Sequence, residues 1–212
     1  MTFKQHFISR LETLSERDTQ EFPVEDIPTP YKKAAVLLPF VASEAGGVEL
    51  IMTKRSDTLA NHGGQVSFPG GIVDPADESL QAAALREAQE EIGLLPEHVT
   101  IMGRLDDAWG RYGHHVIPFV GWLDHRPELT PDPNEVAEVL IADMQILMQP
   151  ESLRKHEIKL GDVRYMAEAF SWDGGYIWGL SADLLLELIL WVKGEPSNRG
   201  ALRLEKMKKY TI

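Results

Sequence analysis

Residues 68–94, FPGGIVDPADESLQAAALREAQEEIGL, carry the strongest structural signal in the chain. Their second part predicts a helix over residues 77–92, because apolar side chains recur there at the spacing of helical turns. Gly93 follows at the position where a glycine commonly ends a helix. The predicted apolar face consists of Ala84, Leu85, Ala88 and Ile92.

Three glutamates, Glu87, Glu90 and Glu91, lie on this helix at positions i, i+3 and i+4. Such spacing gathers their carboxylates along one edge, where like charges repel one another. Hard divalent cations such as Mg²⁺ prefer oxygen ligands and would turn that repulsion into attraction. The pattern therefore indicates a metal site, whereas an acidic face exposed to solvent is the simpler alternative for these three residues alone.

The turn Phe68-Pro69-Gly70-Gly71 precedes the helix, and its two glycines allow the backbone to approach a ligand closely. Alone, such a sequence is usually just a turn. Joined to the helix, it resembles the Nudix box: Gly71, an acidic residue, Arg86-Glu87, Glu90-Glu91 and Gly93. This resemblance implies a Nudix hydrolase, with a Nudix-type α/β/α sandwich around a mixed sheet as its α/β fold.

The same resemblance implies roles for particular residues. Glu87, Glu90 and Glu91, with the carbonyl of Gly71, are expected to bind Mg²⁺ or Mn²⁺, and Arg86 to orient the glutamates by ion pairing. One departure from the box is that six residues, not five, separate Gly71 from Glu78. The role of Glu78 therefore stays open.

A second motif lies upstream: residues 50–56, LIMTKRS, then Leu59, His62 and residues 64–71, GQVSFPGG. It resembles the motif that precedes the box in the coenzyme A pyrophosphatase subfamily, and residues 176–182, YIWGLSA, resemble a further feature of that subfamily. A strand followed by a loop is the purely structural alternative. The subfamily normally has Arg at the position of Ala60, so a bidentate phosphate contact is missing here. The expected substrate-binding residues are Lys54, Arg55, Ser56, His62, Gly70, Gly71 and Arg104.

For several candidate site residues, a purely structural role is the alternative to a functional one. Arg104 either binds the anionic substrate or is solvated at a strand end. Glu135 lies in a predicted loop where many Nudix enzymes place an extra carboxylate, so it is a candidate catalytic base or metal ligand. His114 and His115 can contact phosphate or simply form surface hydrogen bonds. Three tryptophans can stack on an adenine or belong to the core: Trp109, Trp172 and Trp178.

The reaction implied is attack of water on one phosphorus of a pyrophosphate, assisted by metal. For coenzyme A or its derivatives, the products would be 4'-phosphopantetheine, or its acyl form, and adenosine 3',5'-bisphosphate. Another nucleoside diphosphate derivative, such as ADP-ribose or NADH, is the alternative that Ala60 favours. A non-catalytic nucleotide sensor on the same scaffold is the alternative from another class, and the intact glutamate triplet argues against it.

Apolar periodicity outlines the rest of the chain. Residues 34–42 and 48–53 predict a hairpin around Gly46-Gly47, and residues 99–105 and 116–123 predict further strands. Residues 1–16 predict an amphipathic helix that packs on the body, and residues 181–192 a helix capped by Ser181 and ended by Gly194. The predicted organisation is an N-terminal helix and proline-containing linker over 1–32, a Nudix domain over 33–194 and a basic C-terminal tail over 195–212. Residues 199–209 of this tail are expected to be solvated.

Composition limits the classes of partner. Of the 212 residues, 21 are Lys or Arg and 33 are Asp or Glu, so the net charge of -12 disfavours nucleic acid as a partner. There is no cysteine, which excludes disulfides and thiolate chemistry and suits a cytoplasmic protein. The apolar runs are too short to span a membrane, and no signal peptide is predicted. The expected partner is a small nucleotide, and a homodimer is an open alternative.

Overall fold

A computed structural model of the chain describes residues 1–57, 63–110, 113–160 and 163–210. Its helices are α1 Phe3–Glu12, α2 Leu80–Ile92, α3 Met144–Leu147, α4 Leu180–Lys193 and α5 Arg199–Tyr210. Its strands are β1 Lys32–Ala42, β2 Val48–Arg55, β3 Val66–Ser67, β4 Gly70–Ile72, β5 Thr100–Arg104, β6 Ala108–Gly110, β7 His114–Leu123, β8 Val136–Asp143, β9 Leu153–Leu160, β10 Val163–Trp172 and β11 Gly175–Trp178.

Eight of the described strands form one mixed sheet, which confirms the predicted fold class. Its central path is β3-β2-β1-β7-β5, while β4 pairs with β1, β6 with β7 and β8 with β2. The pair β1–β7 is parallel, and the other pairs are antiparallel. The predicted hairpin is confirmed as β1 and β2, with Gly46 in the left-handed region at φ 83°.

Both faces of the central strands are buried, as expected for a sandwich. Side chains alternate along β1, so that Leu37 and Val41 pack against α2 while Leu38 and Phe40 pack against α1 and α4. The α2 face contributes Ala83, Ala84, Ala88 and Ile92, all fully buried. This layering holds α2, which carries the glutamate triplet, firmly against one face of the sheet.

The predicted starts and ends of α2 and α4 can now be compared with the structure. Helix α2 begins at Leu80 rather than at residue 77, because the Ser79 side chain caps it by accepting from the Ala82 N–H. Helix α4 begins at Leu180, before the predicted cap Ser181, and follows Gly179. Both helices end at the predicted glycines, Gly93 and Gly194, which adopt left-handed conformations. The N-terminal helix packs on its own core through Phe7 and Leu11, as predicted.

Two features depart from the sequence prediction. Strands β9, β10 and β11 form a second, antiparallel sheet that was not predicted. The interpretation of residues 199–209 as a solvated tail is wrong, because these residues belong to α5 and its side chains Arg203 and Met207 are buried. Arg203 forms ion pairs with Asp183 and Glu187 of α4, so the charges of the C-terminal segment are compensated inside the fold.

Candidate active site

The Gly70–Gly71 turn and the glutamates of α2 lie directly against each other. Gly70 pairs with Val36 and Gly71 with Ala35 of β1, and β1 also contacts α2. A Cβ atom on Gly71 would lie 2.4 to 2.6 Å from the Glu87 carboxylate. Only glycine therefore allows this carboxylate to approach the backbone so closely.

Glu91 is the most buried of the three glutamates, with 2% of its surface exposed. Its carboxylate accepts a hydrogen bond of 3.3 Å from the Gly70 N–H and lies 3.5 Å from the Arg55 guanidinium. Burial raises the pKa of Glu91 to about 7, although the Arg55 charge and the Gly70 hydrogen bond partly oppose that shift. A deeply placed carboxyl that titrates near neutral pH is typical of functional sites.

Arg86 organises the outer part of the cluster. Its guanidinium lies 3.0 Å from Glu87 and 2.9 Å from Glu90, and it also donates to the Ile72 carbonyl at 3.1 Å. Burial raises the pKa of Glu87 despite the Arg86 charge. Arg86 thus holds two carboxylates of the predicted metal site in fixed orientations.

Asp77 is a site residue whose role was not predicted from the sequence. It receives two hydrogen bonds from Arg86, of 2.9 and 3.1 Å, and this pairing lowers the Asp77 pKa. Glu78 is exposed, and no such pairing is shown for it. Five residues separate Gly71 from Asp77, so the usual spacing of the box could have identified Asp77 as the acidic partner of Arg86.

Glu135 lies in the loop before β8, as predicted, and faces this cluster. Backbone hydrogen bonds attach the loop to the end of α2, from Thr130 to the Ile92 carbonyl and from Asp132 to the Glu91 carbonyl. The Glu135 carbonyl accepts from the Ser56 N–H at 2.8 Å, and the Glu135 charge contributes to the raised pKa of Glu87 and Glu91. The loop therefore adds a further carboxylate that interacts with Glu87 and Glu91.

The structure separates the predicted substrate-binding residues into groups. Four of them border the glutamate cluster: Arg55, Ser56, Gly70 and Gly71. Lys54 lines a separate cleft. Arg104 lies elsewhere, paired with Glu21 and Asp107, and Asp107 also pairs with the buried His115. His62 and Ala60 lie outside the described residues.

The glutamates contact arginines, and in the described part of the chain no three acidic or histidine side chains are already assembled as a metal site. The donor set consists of oxygens, as Mg²⁺ and Mn²⁺ prefer, and the missing Cβ of Gly71 leaves its backbone open to the same space. The residues present therefore fit a divalent cation.

Comparison with known proteins agrees with this fold. The NUDIX domain of Shewanella oneidensis NrtR, solved with ADP ribose, superposes with a TM-score of 0.51 at 14% identity, covering 82% of this chain and 92% of that one. A likeness at this identity defines the class of fold, a NUDIX domain.

The family follows from sequence comparison. A NUDIX domain model matches residues 31–168. An uncharacterized Nudix hydrolase NudL of Salmonella paratyphi B is 35% identical over 90% of this chain and 95% of its own length. Nudix hydrolase 22, chloroplastic, of Arabidopsis thaliana is 35% identical over 85% of this chain, which spans 63% of that relative. The chain therefore belongs to the Nudix hydrolase family, whose members hydrolyse pyrophosphate bonds in nucleoside diphosphate derivatives and generally use divalent metal ions.

No helix within the described ranges is long and apolar enough to cross a membrane.

Proposed function

We propose that this chain hydrolyses the pyrophosphate bond of coenzyme A or its derivatives, giving 4'-phosphopantetheine, or its acyl form, and adenosine 3',5'-bisphosphate. The observation that carries this proposal is the contact between Arg55, in the upstream LIMTKRS segment, and Glu91 of the box helix. Gly70, at the other end of the upstream motif, donates to the same carboxylate. Residues from both ends of the upstream motif therefore contact the Glu91 carboxylate, which supports the proposal.

Glu87, Glu90 and Glu91, with the carbonyl of Gly71, are the proposed ligands of Mg²⁺ or Mn²⁺. When bound, the cation neutralises charge on phosphate oxygens and lowers the pKa of a coordinated water. Support for this assignment comes from Glu91, a buried carboxylate that lies 3.5 Å from the Arg55 guanidinium and would gain from a closer positive charge.

The protein's own groups divide the remaining tasks. Arg86, fixed by Asp77, orients Glu87 and Glu90. Arg55, whose guanidinium lies 3.5 Å from Glu91, would bind a phosphate oxygen of the substrate, because a guanidinium fits phosphate as well as carboxylate. Glu135 is the proposed base or additional ligand. Its position beside Glu87 and Glu91 allows it to hold the proton released by the attacking water.

ADP-ribose or a reduced nicotinamide dinucleotide is the second candidate substrate, and Ala60 favours it. In place of the arginine typical of the coenzyme A motif, Ala60 offers no cation to the 3'-phosphate that distinguishes coenzyme A from these compounds.

A hydrolysis screen tests the proposal. Coenzyme A, acyl-coenzyme A, ADP-ribose, NADH and diadenosine polyphosphates are compared with Mg²⁺ and with Mn²⁺, and products are identified by chromatography. We expect kcat/KM for coenzyme A or its acyl derivatives to exceed the values for the other substrates by about tenfold or more. A preference for ADP-ribose or NADH would replace coenzyme A with the second candidate.

A further inference from the structure

Asp132, in the loop that precedes β8, is hydrogen-bonded both to the glutamate helix and to Glu135. Its N–H donates to the Glu91 carbonyl at the end of α2, at a distance of 2.9 Å. Its own carbonyl accepts from the Glu135 N–H at 3.0 Å and from the Val136 N–H at 2.8 Å. This one residue therefore fixes the backbone of Glu135 relative to the backbone of Glu91.

The Asp132 side chain closes the turn that leads to Glu135. Its Oδ1 accepts from the Asn134 N–H at 2.9 Å and from the Asn134 side-chain amide at 2.8 Å. Asp and Asn both stabilise such turns, because each places an oxygen within reach of the backbone two residues further on, whereas alanine has no acceptor. The direction in which Glu135 leaves the chain thus depends on an acceptor at residue 132.

The other end of the turn is attached to strand β2. The Glu135 carbonyl accepts from the Ser56 N–H at 2.8 Å. The residue before Ser56 is Arg55, whose guanidinium lies 3.5 Å from the Glu91 carboxylate. Segment 132–135 is therefore joined at one end to the Glu91 backbone and at the other to the chain beside a partner of the Glu91 side chain.

Electrostatic repulsion opposes this placement of Glu135. Burial raises the pKa of Glu87 and of Glu91, and the Glu135 charge adds to both shifts, so the loop carboxylate repels the two helix carboxylates. The Glu135 residue is exposed, so movement away from α2 would leave its carboxylate fully solvated. In the metal-free protein, the hydrogen bonds of the loop are what hold Glu135 toward the cluster.

We propose that Asp132 is a positioning residue, whose side chain holds the Glu135 carboxylate toward the cation site of α2. The inference rests on the proposed function, because it assumes that the α2 glutamates bind a divalent cation. A carboxylate held beside a cation strengthens its binding, whether it coordinates directly or through a water molecule. Loss of the turn should therefore weaken cation binding through Glu135.

Mn²⁺ affinity, measured by calorimetry without substrate, tests this role independently of hydrolysis. Asp132→Ala and Asp132→Asn lose the same charge, but only asparagine keeps the acceptor, so their difference isolates the turn. Both are made in wild type and in the Glu135→Gln background, and circular dichroism checks that each variant folds. Asp124→Ala is the control, since Asp124 is an exposed residue that directly follows β7.

We expect Glu135→Gln and Asp132→Ala each to weaken Mn²⁺ binding by about tenfold. Asp132→Asn should recover most of the affinity, and Asp124→Ala should bind as wild type does. In the Glu135→Gln background, the alanine and asparagine variants of residue 132 should bind Mn²⁺ equally, because the turn acts through Glu135.

Equal affinities of Asp132→Ala and Asp132→Asn would overturn the inference. So would wild-type affinity in Glu135→Gln, or an alanine–asparagine difference that survives in the Glu135→Gln background. If Asp132→Ala fails to fold, Asp132→Ser replaces it and should bind more weakly than Asp132→Asn, since a hydroxyl closes such turns less well. The expected Mn²⁺ affinities without pyrophosphate hydrolysis would remove the proposed function alone. Coenzyme A hydrolysis with no alanine–asparagine difference would remove the role of Asp132 alone.

Discussion

Asp77 illustrates how one residue outside the glutamate triplet supports it. Asp77→Asn should weaken the hydrogen bonds between residue 77 and Arg86, so that Arg86 orients Glu87 and Glu90 less firmly. We expect kcat to fall by about tenfold or more, as is typical for residues that orient metal ligands. Steady-state kinetics with saturating Mg²⁺ provides the measurement. Glu78→Gln is the matched control, since Glu78 is exposed and should be near wild type. Equal losses in both variants would show that the Asp77–Arg86 pair has no special role.

Glu90→Gln and Glu91→Gln test the proposed metal ligands themselves. Each should keep the fold but lower kcat by about 100-fold or more, because an amide cannot supply the negative charge that holds the cation. Initial rates measure the loss of activity, and circular dichroism spectra of the same samples show whether each variant keeps its fold. Wild-type turnover in either variant would remove that residue from the catalytic machinery.

The raised pKa of Glu91 also predicts how stability depends on pH. In metal-free protein the folded state keeps this proton up to a pKa of about 7, whereas the ordinary pKa of a glutamate side chain is 4.5. Between pH 4.5 and 7 the folded state therefore binds more protons than the unfolded state. The contribution of Glu91 to folding stability is full below pH 4.5 and is lost as the pH rises through 7. Denaturant unfolding in EDTA should show a steeper decline of stability over this window in wild type than in Glu91→Gln. Identical pH profiles would contradict the shift.

The glutamates, Arg86 and Gly71 were predictable from the sequence because helical spacing and a glycine turn are local signals. Residues whose partners are distant in the chain were harder to interpret. Arg104 was predicted as a substrate ligand, yet its contacts are Glu21 and Asp107. Since periodicity carries no information on such pairings, only the fold reveals which charges are already compensated.

At the scale of elements, helix α5 also shows that contacts between distant parts of the chain are not predictable from local sequence. Its basic composition suggested a solvated tail, but Arg203 and Met207, four residues apart, share the buried face. The acidic partners of Arg203 lie on α4, so the sequence of α5 alone does not identify them. The β9–β11 sheet was missed because its strands mix charged and apolar residues, so their apolar alternation is weak.

Arg203→Ala should destabilise the protein by about 3 kcal/mol or more, because it leaves the buried Glu187 without this charge partner. Lys208→Ala is the matched control on the same helix. The Lys208 ion pair with Asp26 is half exposed and should contribute about 1 kcal/mol or less. Chemical denaturation measures both. Similar small losses in both variants would contradict a stabilising role for the buried Arg203 ion pairs.

At the scale of the whole molecule, the metal site and the fold are separable. The sheet is buried on both faces by apolar residues of β1, α2 and α4, and none of these contacts requires a cation. The metal-free protein should therefore remain folded, with a cooperative thermal transition in EDTA. A protein that is unfolded in EDTA would mean that the cation is part of the core structure, as in small metal-dependent domains.

The central claim is that Glu87, Glu90 and Glu91 bind the catalytic cation, and thermal unfolding with and without Mg²⁺ tests it most directly. Wild type should gain about 3 kcal/mol of stability when Mg²⁺ exceeds its Kd about a hundredfold. The triple variant Glu87→Gln, Glu90→Gln, Glu91→Gln should fold and show little or no gain over the same titration. A triple variant that gains as much stability as wild type would place the cation elsewhere and contradict the account.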